Sequence, residues 1–320
     1  MRSPLRVGFL GPPGTFTEQA LLTQTDLADG ELVAMASIID VLAATADGTV
    51  DAGFVPIENS IEGSVNVTLD TLAFETDLVI QREVVERIRL NLLAAPGSSL
   101  ADITAVVSMP HATAQMRGFL ARDLPGVETR VANSTAEAAR LVGSGAEPGL
   151  AAVGTSLAAK LYGLEVLATD VEDHPENETR FVVVARHGVP PLSGHDKTTV
   201  VCFQQADRPG SLLAILQEFA ARAVNLTKLE SRPTKRSLGD YCFIIDFEGH
   251  VDDELVADCL RDLKAKLADV KFLGSYPAAG HHGEARRRDA VAAWRDADQW
   301  VKGLRRQVVS PAPEHPGSHR

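Results

Sequence analysis

The feature that most constrains this fold is a regular alternation of short apolar segments with amphipathic segments over residues 1–187. The apolar segments are short enough for strands, and the amphipathic segments have a helical period. Strands that alternate with helices predict βαβ units and a largely parallel sheet, so the expected fold class is α/β. The predicted strands are RVGFL, ELVAMAS, DAGFVPI, ITAVVS, ETRVAN, LAAVG and RFVVVA, and the predicted helices are FTEQALLTQ, IIDVLAATADG, HATAQMRGFLARD, TAEAARLVG and TSLAAKLYG.

Two further segments divide the chain. The stretch Leu78–Ala95 is rich in β-branched residues but too charged for one buried strand, so it predicts two extended segments that link two lobes. Pro, Gly and Ser in PPLSGHDK indicate a linker at 188–197. Over 198–277 the predicted order is strand, helix, strand, strand, helix, strand, which is the pattern of ferredoxin-like domains. The remaining residues, 278–320, are expected to be a tail that is partly helical or disordered.

Composition excludes several classes of protein. The chain has 320 residues, of which 45% are hydrophobic and 23% charged, and no apolar run approaches a membrane span. The N-terminus reaches Gly-Pro-Pro-Gly too early for a signal peptide, so we expect a cytoplasmic protein with no membrane partner. The net charge of -12 argues against nucleic-acid binding. Cys202, Cys242 and Cys259 form no CxxC pair, and the histidines form no HExxH, so we expect buried thiols and no metal.

The first segment with chemical potential is GPPGTFTEQA at 11–20. Its glycines stand between a predicted strand and a predicted helix, and Thr15 and Glu18 have the spacing of a capping box. Free N–H groups at such a helix start suit a carboxylate. The spacing of Gly8, Gly11 and Gly14 does not match GxGxxG, so a dinucleotide site is not expected.

Two further segments carry neutral polar side chains. VPIENSIEGS at 55–64 places Asn59 and Ser60 where ligands bind in open α/β folds, at the C-terminal edge of the sheet. In SMPHATAQ, at 108–115, Ser108 stands where it could cap the next helix and Gln115 falls within that helix. Taken alone, a plain cap and a solvated helix face explain the last two residues equally well.

The fourth segment joins a hydroxyl, a guanidinium and an aromatic ring. Thr179, Arg180 and Phe181 follow one another where the acidic loop DVEDHPENE runs into the apolar strand FVVVA. A loop that leads into a buried strand holds its junction residues rigidly, as binding and catalytic groups require. Taken alone, the triplet also has a purely structural explanation, in which Thr179 is a β-former at the start of a strand and Arg180 is a solvated neighbour.

Together these segments resemble the prephenate dehydratase family. GPPGTFTEQA, VPIENSIEGS, SMPHATAQ and ETRF match its motifs in order, and RPGSLL and ESRP match its C-terminal regulatory ACT domain. The resemblance covers about residues 5–277. It implies a two-lobed, type II periplasmic-binding-protein-like catalytic domain at 1–187 and a ferredoxin-like ACT domain at 198–277. Lobe 1 is expected at about 1–77 plus 165–187, and lobe 2 at about 78–164.

The resemblance also implies an activity. The family are carbon–oxygen lyases that convert prephenate to phenylpyruvate, with loss of water and carbon dioxide, in phenylalanine biosynthesis. Aromatisation of the ring drives the reaction, so no cofactor is expected. Two alternatives stay open, namely arogenate as the substrate and a non-catalytic binding protein that senses an amino acid.

The resemblance assigns roles to the motif residues. Thr179 would protonate or hydrogen-bond the departing hydroxyl, and because a threonine is a poor acid in water we expect a mainly electrostatic role. Arg180 would hold a substrate carboxylate, or point away if the strand alternates there, in which case Glu58 would hold it. The expected substrate contacts are Thr15, Asn59, Ser60, Ser108, Gln115, Arg180 and Phe181.

The ACT motifs imply an allosteric site. By resemblance, two such domains pair and bind phenylalanine between RPGSLL of one and the segment from Asn225 to Arg232 of the other, in a homodimer or homotetramer built through the ACT and catalytic domains. Ser211 stands where the family often has alanine, so the choice of ligand is open. The expected ligand contacts are Gly210, Ser211, Leu212, Leu213, Asn225, Leu226, Glu230, Ser231 and Arg232.

Overall fold

The computed structural model describes residues 4–145, 147–205, 208–235, 240–279, 297 and 299–306. The strands are β1 (Arg6–Leu10), β2 (Glu31–Met35), β3 (Ala52–Asn59), β4 (Gly63–Ser64), β5 (Val79–Arg87), β6 (Asn91–Ala94), β7 (Ala105–Ser108), β8 (Glu128–Val131), β9 (Leu150–Gly154), β10 (Glu165–Ala168), β11 (Glu178–Ala185), β12 (Asp196–Phe203), β13 (Leu226–Pro233), β14 (Tyr241–Glu248) and β15 (Asp269–Pro277). The α-helices are α1 (Phe16–Leu22), α2 (Thr25–Ala28), α3 (Ile38–Asp47), α4 (Asn66–Asp70), α5 (Pro110–Ala114), α6 (Arg117–Asp123), α7 (Thr135–Gly143), α8 (Ser156–Tyr162), α9 (Ser211–Ala220) and α10 (Glu254–Lys266). A π-helical turn covers Thr71–Glu75, and a 3₁₀ turn covers Leu100–Asp102.

The first 187 residues form two lobes, each built on its own sheet. The sheet of lobe 1 has the order β2-β1-β3-β11-β5, with β4 added to β3, and the sheet of lobe 2 has the order β10-β6-β9-β7-β8. The chain crosses between the lobes twice, from β5 to β6 and from β10 to β11. This is the two-lobed, periplasmic-binding-protein-like architecture that the sequence predicts.

Both predicted lobe boundaries are displaced. β5 was expected in lobe 2 but pairs with β11 in lobe 1, and β10 was expected in lobe 1 but pairs with β6 in lobe 2. The charged stretch from 78 to 95 does form two extended segments, as predicted, and the change of lobe occurs between them. A strand belongs to the sheet in which its partner lies, and that partner is distant in sequence. The local pattern of apolar residues therefore does not reveal the lobe to which a strand belongs.

The sheets are mixed rather than largely parallel. β1 pairs in parallel with β2 and β3, whereas β11 runs antiparallel to both β3 and β5. In lobe 2, β7 is parallel to β8 and β9, but β6 is antiparallel to β9. Apart from the short β3–β4 pair, the antiparallel pairs all involve strands at the two crossings between the lobes.

The C-terminal domain is a four-stranded antiparallel sheet with the order β13-β14-β12-β15. With α9 and α10 it has the ferredoxin-like βαββαβ order that the sequence predicts. The two helices cover one face through a core that includes Ile215, Phe219 and Phe247. The other face packs directly on lobe 1, so the two domains share one core.

The shared core joins residues of both domains without an intervening layer. Val182 and Ile80 of lobe 1 belong to the same buried cluster as Ile244 and Tyr276 of the C-terminal domain. Gly274 on β15 lies so close to β5 that a Cβ there would be 2.4 Å from the carbonyl oxygen of Ile80. The C-terminal sheet therefore packs directly against the sheet of lobe 1.

Most of the predicted tail lies outside the described residues, including Trp294 and its neighbours. The described part is helical from 299 to 305, and Trp300 is exposed. Cys202, Cys242 and Cys259 are free and buried, as the sequence predicts. Within the described ranges, no helix has both the length and the apolar content that crossing a bilayer requires.

Candidate active site

Thr179 stands near the start of β11, which lies between β3 and β5 in the sheet of lobe 1. It pairs with Asn59 on β3 and with Glu86 on β5, and directly opposite residues present their side chains on the same face. The Thr179 side chain is buried, and its Oγ1 accepts a hydrogen bond from Asn59 Nδ2 at 2.9 Å. This bond uses a lone pair of the hydroxyl, so the O–H proton stays able to donate.

Asn59 is held in one orientation by five hydrogen bonds. Besides Thr179, its Nδ2 donates to Asn177 Oδ1 at 2.8 Å and to the carbonyl of Glu178 at 3.2 Å. Its Oδ1 accepts from the backbone N–H groups of Ile61 at 3.0 Å and Glu62 at 2.9 Å. Because every amide atom has partners, the donor group is fixed toward Thr179.

Asn177 connects this cluster to lobe 2. Its Nδ2 donates to Gln115 Oε1 at 3.0 Å, and the residue is only 1% exposed. Asn177 lies in the acidic loop DVEDHPENE and was not among the predicted site residues. Asn177 precedes Thr179 by two positions, a spacing that puts both side chains on one face of an extended chain. That spacing is the signal that could have identified it.

Gln115 differs from its prediction in a way that serves the site. The segment HATAQMRGFLARD was expected to be one helix, but α5 ends at Ala114 and α6 begins at Arg117. The carbonyl of Gln115 accepts the N–H of Asp173 at 2.6 Å, so it is bound to the loop before β11. At this break the Gln115 side chain reaches both Asn177 and Glu62, whose Oε1 lies 3.3 Å from Gln115 Nε2.

Ser60 completes the cluster from the β3–β4 turn. Its backbone N–H donates to the carbonyl of Glu178 at 2.9 Å, and its Oγ accepts from the N–H of Glu178 at 3.0 Å. The hydroxyl also lies 3.4 Å from Asn177 Oδ1. The structure thus brings Asn59, Ser60, Gln115 and Thr179 together, and we call these four with Asn177 the amide–hydroxyl cluster.

Glu86 is the acidic residue next to Thr179 on β5. Partial burial raises the pKa of its carboxyl above the ordinary value, because desolvation disfavours the charged form. The cluster itself contains no cation. A dianionic ligand would therefore meet neutral donors, and the raised pKa of Glu86 reduces the negative charge beside them at mildly acidic pH.

Ser108 and Thr15 lie outside the cluster. Ser108 ends β7 with no exposed surface, and its Oγ donates to the carbonyl of Val153 at 3.1 Å. Thr15 caps α1 by accepting from the N–H of Glu18 at 3.3 Å. The carboxylate of Glu18 accepts the N–H of Gly14 at 2.5 Å. This N–H was expected to be free for a ligand, and it is not. Both hydroxyls are bound to the protein.

Arg180 and Phe181 make their contacts within the protein. Phe181 is buried in the lobe 1 core and stacks on Phe54 with ring centroids 5.3 Å apart. Arg180 leaves β11 on the opposite face and reaches the C-terminal domain, as strand alternation permits. The expected contact of Arg180 with a substrate carboxylate is therefore corrected, whereas that of Phe181 stays a prediction. Glu58 does lie beside Arg180, with Oε2 3.4 Å from Nη1.

The guanidinium of Arg180 is buried among carboxylates. Its Nη1 lies 2.5 Å from Asp246 Oδ2, and its Nε lies 2.7 Å from Glu83 Oε2 in an ion pair that is not an aligned hydrogen bond. Nη2 donates to Tyr276 Oη at 2.8 Å. Burial alone would lower the pKa of Arg180, but Asp246 and Glu83 outweigh it and hold this pKa above its usual value. Burial alone would raise the pKa of Asp246, but Arg180 and Thr199 keep it below its usual value.

The predicted allosteric residues fall on two faces of the C-terminal domain. Gly210 has φ +87° and caps α9, which begins at Ser211 as expected. On β13 the side chains alternate, and Leu229 and Ser231 are exposed. Glu230 and Arg232 point the other way, which differs from their predicted role as ligand contacts.

Glu230 and Arg232 instead contact lobe 1. Glu230 hydrogen-bonds Ser64, and Arg232 Nη2 lies 2.7 Å from Asp70 Oδ1. Among the remaining predicted ligand contacts, Leu212 and Leu226 pack partly against the helix-side core, whereas Leu213 is exposed. Asn225 directly precedes β13, and its carbonyl accepts the N–H of Glu248.

The described residues contain no group of three His, Cys, Asp or Glu side chains that could hold a metal ion. The chemistry of the cluster is that of neutral amide and hydroxyl donors. The fold and the cluster define a two-lobed α/β catalytic unit with its polar site at the lobe junction, joined to a ferredoxin-like domain.

Comparison with known proteins identifies the family. The family model for prephenate dehydratase matches residues 7–189, and the ACT domain model matches residues 198–265. The prephenate dehydratase of Mycolicibacterium vanbaalenii is 42% identical over 313 residues, with 93% of this chain and 98% of that protein covered. The chain belongs to the prephenate dehydratase family.

Two solved structures are similar along most of the chain. The prephenate dehydratase of Arthrobacter aurescens in complex with L-Phe has a TM-score of 0.86 and 40% identity, covering 94% of this chain and 100% of that one. GqqA, described as a novel type of quorum quenching acylase, has a TM-score of 0.76 and 31% identity, covering 86% of this chain and 98% of that one.

Proposed function

We propose that this protein converts prephenate to phenylpyruvate at the amide–hydroxyl cluster, with Thr179 as the residue that acts on the departing hydroxyl. Family membership supports the reaction. The observation that carries the assignment of Thr179 is its hydrogen bond from Asn59 at 2.9 Å, with the donor group itself fixed by Asn177 and the β3–β4 turn.

The reaction requires little more than positioning and one hydrogen bond. The bond from the ring carbon to the carboxylate breaks to release carbon dioxide, its electron pair enters the ring, and the bond to the ring hydroxyl breaks. The departing oxygen gains negative charge, which the O–H of Thr179 stabilises by donating to it. A hydroxyl that already accepts a hydrogen bond is a stronger donor, so Asn59 increases this effect. A positioned donor of this kind contributes about 10²- to 10⁴-fold.

Neutral amides suit a dianionic substrate in a protein of net charge -12. The N–H groups of Gln115 and Asn177 can orient carboxylates without the large desolvation that a buried cation would require. Arg180 is engaged with Asp246 and Glu83, so it supplies no cation on the face of Thr179.

L-Phenylalanine is the proposed inhibitor, bound at the ACT domain. The support is the L-Phe complex of the Arthrobacter aurescens relative, together with Gly210 at the start of α9. β13 is an edge strand with Leu229 43% exposed, and Leu213 on α9 is 59% exposed. An exposed edge strand of this kind pairs readily with another chain, so we place the contact of a homodimer or homotetramer here. Free buried cysteines suit the cytoplasm.

The decisive experiment is an assay of purified protein with prephenate and, separately, with arogenate. Chromatography distinguishes the products, since prephenate yields phenylpyruvate and arogenate yields phenylalanine. We expect turnover of prephenate that L-phenylalanine lowers and D-phenylalanine does not. If only arogenate gave product, arogenate would replace prephenate as the assigned substrate. If neither acid gave product, the dehydratase activity would be refuted.

A further inference from the structure

The strand pair that carries Thr179 is irregular beside the site. Arg180 pairs with Glu58 of β3, but the next residue, Phe181, pairs with Pro56, so the strand bulges at Ile57. Pro56 has no N–H to donate to the ladder, and a bulge leaves its extra residue unpaired. The ladder with β3 is therefore interrupted close to Thr179, whereas β11 stays in regular register with β5 from Glu178 to Val183.

A second set of contacts holds the backbone where the ladder is interrupted. Arg180, the residue after Thr179, is 11% exposed at its side chain and bonded to Asp246 of β14 and Tyr276 of β15. Glu83 of β5 binds both Arg180 and Lys197 of β12, with Oε1 2.9 Å from Lys197 Nζ. We call Arg180, Glu83, Asp246 and Tyr276 the Arg180 cluster.

The same pattern recurs at the strand that carries Asn59. Glu58, the residue before Asn59, lies 3.3 Å from Lys228 Nζ of β13. Lys228 also donates to Ser64 of β4 at 2.7 Å. Both partners in the Thr179–Asn59 hydrogen bond thus have a chain neighbour bonded through the opposite face to the ACT sheet.

We propose that Arg180 is a positioning residue through which the ACT domain controls the Thr179 hydroxyl. A movement of β14 and β15 carries Asp246 and Tyr276, and the guanidinium transmits that movement to the part of β11 that lies opposite the bulge of β3. The proposal rests on the proposed function, because it concerns the regulation of that site. It assigns a path for inhibition that requires no contact between phenylalanine and lobe 1.

The energetics favour transmission through this cluster. An ion pair buried in both partners is sensitive to geometry, because each charge loses its solvation and relies on its partner. Asp246 also accepts from Thr199 Oγ1 at 2.8 Å, which fixes the carboxylate within the ACT sheet. Displacement of the sheet by a fraction of an ångström must therefore move Arg180 with it.

The most direct variant, Arg180→Met, would leave Asp246 and Glu83 buried without a partner and is expected to impair folding. Tyr276→Phe is the better test, because it keeps the buried ring and removes only the hydroxyl that Arg180 and Thr199 share. Lys271→Met is the matched control. Lys271 also joins the domains, by donating to the carbonyls of Ala73 and Thr76, but it does not touch β11.

The measurement is the inhibition factor, the ratio of turnover without L-phenylalanine to turnover at saturating L-phenylalanine. We expect Tyr276→Phe to lower this factor at least about fivefold, the lower end of common allosteric couplings, while Lys271→Met preserves it. Phenylalanine should still raise the thermal midpoint of Tyr276→Phe, since its binding site is intact. Loss of stability alone would not change this ratio.

Two results would overturn the positioning role. One is an inhibition factor for Tyr276→Phe equal to or above that of the native protein. The other is loss of the phenylalanine-induced rise in thermal midpoint, which would place Tyr276 at the ligand site. Failure of the proposed function looks different, because the native protein would then convert no prephenate or would ignore phenylalanine.

Discussion

Asn177 Nδ2 donates to Gln115 Oε1 at 3.0 Å, and this bond ties the loop before β11 to the break between α5 and α6 in the other lobe. The same Asn177 side chain also accepts a hydrogen bond from Asn59 Nδ2, the group that donates to Thr179, and so helps to orient that group. One amide therefore links the relative position of the lobes to the orientation of the proposed catalytic hydroxyl.

Replacing Thr179 by valine should abolish most of the activity. The methyl group keeps the volume but removes the donor to the leaving oxygen, so we expect turnover of prephenate to fall at least about 10²-fold. Thr179→Ser retains the hydroxyl and should keep turnover within about tenfold, since only its rotamer preference changes. Steady-state kinetics of both variants, with circular dichroism to verify folding, make the comparison. Near-native turnover of Thr179→Val would remove Thr179 from the mechanism.

Replacing Asn177 by alanine should lower turnover by more than the accompanying loss of stability can explain. The change removes one hydrogen-bond partner from Asn59 and one from Gln115, at about 1 to 3 kcal/mol for the fold, and weakens the fixation of the group that donates to Thr179. Asn91→Ala is the control, because Asn91 is buried in lobe 2 and its Nδ2 donates only outside the cluster, to Gly154 at 3.3 Å. Equal kinetic effects of the two variants at similar thermal midpoints would contradict the role of Asn177.

Gly274→Ala should destabilise the contact between the domains. The new Cβ would lie 2.4 Å from the carbonyl oxygen of Ile80, and the residue has φ +141°. Overpacking of this kind destabilises by about 1 to 3 kcal/mol in addition to the backbone strain. Gly97→Ala isolates the strain, because Gly97 has φ +79° and nothing within 4 Å of its Cβ position. Chemical denaturation should show a larger loss for Gly274→Ala, and equal losses would contradict the close approach.

Alkaline pH should weaken the ACT domain through its buried thiols. Burial raises the pKa of Cys202 and Cys259 to about 12 and that of Cys242 to about 11, from an ordinary value of 9.0. As the pH rises through 9.0, the thiols of the unfolded chain lose their protons before those of the folded protein. The contribution of the buried neutral thiols to the free energy of unfolding is therefore complete below pH 9.0 and declines above it. Each thiol contributes a slope of up to about 1.4 kcal/mol per pH unit.

Urea unfolding between pH 8 and pH 10.5 measures that slope. Cys202→Ala lowers the stability at every pH, because it removes a buried side chain, but it should also make the decline with pH shallower. A decline as steep as that of the native protein would show that groups other than this thiol cause it.

The sequence predicts the elements of this fold better than their partners. The content of β-branched residues indicated the extended segments at the first crossing, but no strand was predicted at β10. The residues of β5 and β10 were assigned to the wrong lobes because their pairing depends on residues far away. Arg180 is the corresponding case at the site. Its direction depends on alternation along β11 and on two distant carboxylates, Asp246, 66 positions further along the chain, and Glu83 on β5, which no local motif contains.

The amide–hydroxyl cluster was partly predictable for a related reason. Asn59 and Thr179 stand at strand ends, where side chains are aimed by the sheet, so motif and structure agree on them. Ser108 also ends a strand, but its hydroxyl satisfies a buried carbonyl, and only the packed structure reveals that need. Gln115 joins the cluster although the single helix predicted for it is divided into α5 and α6, and at this break its carbonyl binds the N–H of Asp173 in a distant loop.

The position of β11 between β3 and β5 has a consequence for synthesis of the chain. Asn59 and Thr179 are 120 residues apart, so a ribosome finishes β3, β5 and the whole of lobe 2 before it makes the strand that fills the gap. Until then β3 and β5 expose open hydrogen-bonding edges, which other chains can occupy. A nascent chain that pauses before residue 178 is thus the species with the greatest exposure to aggregation, and a chaperone would protect it most effectively there.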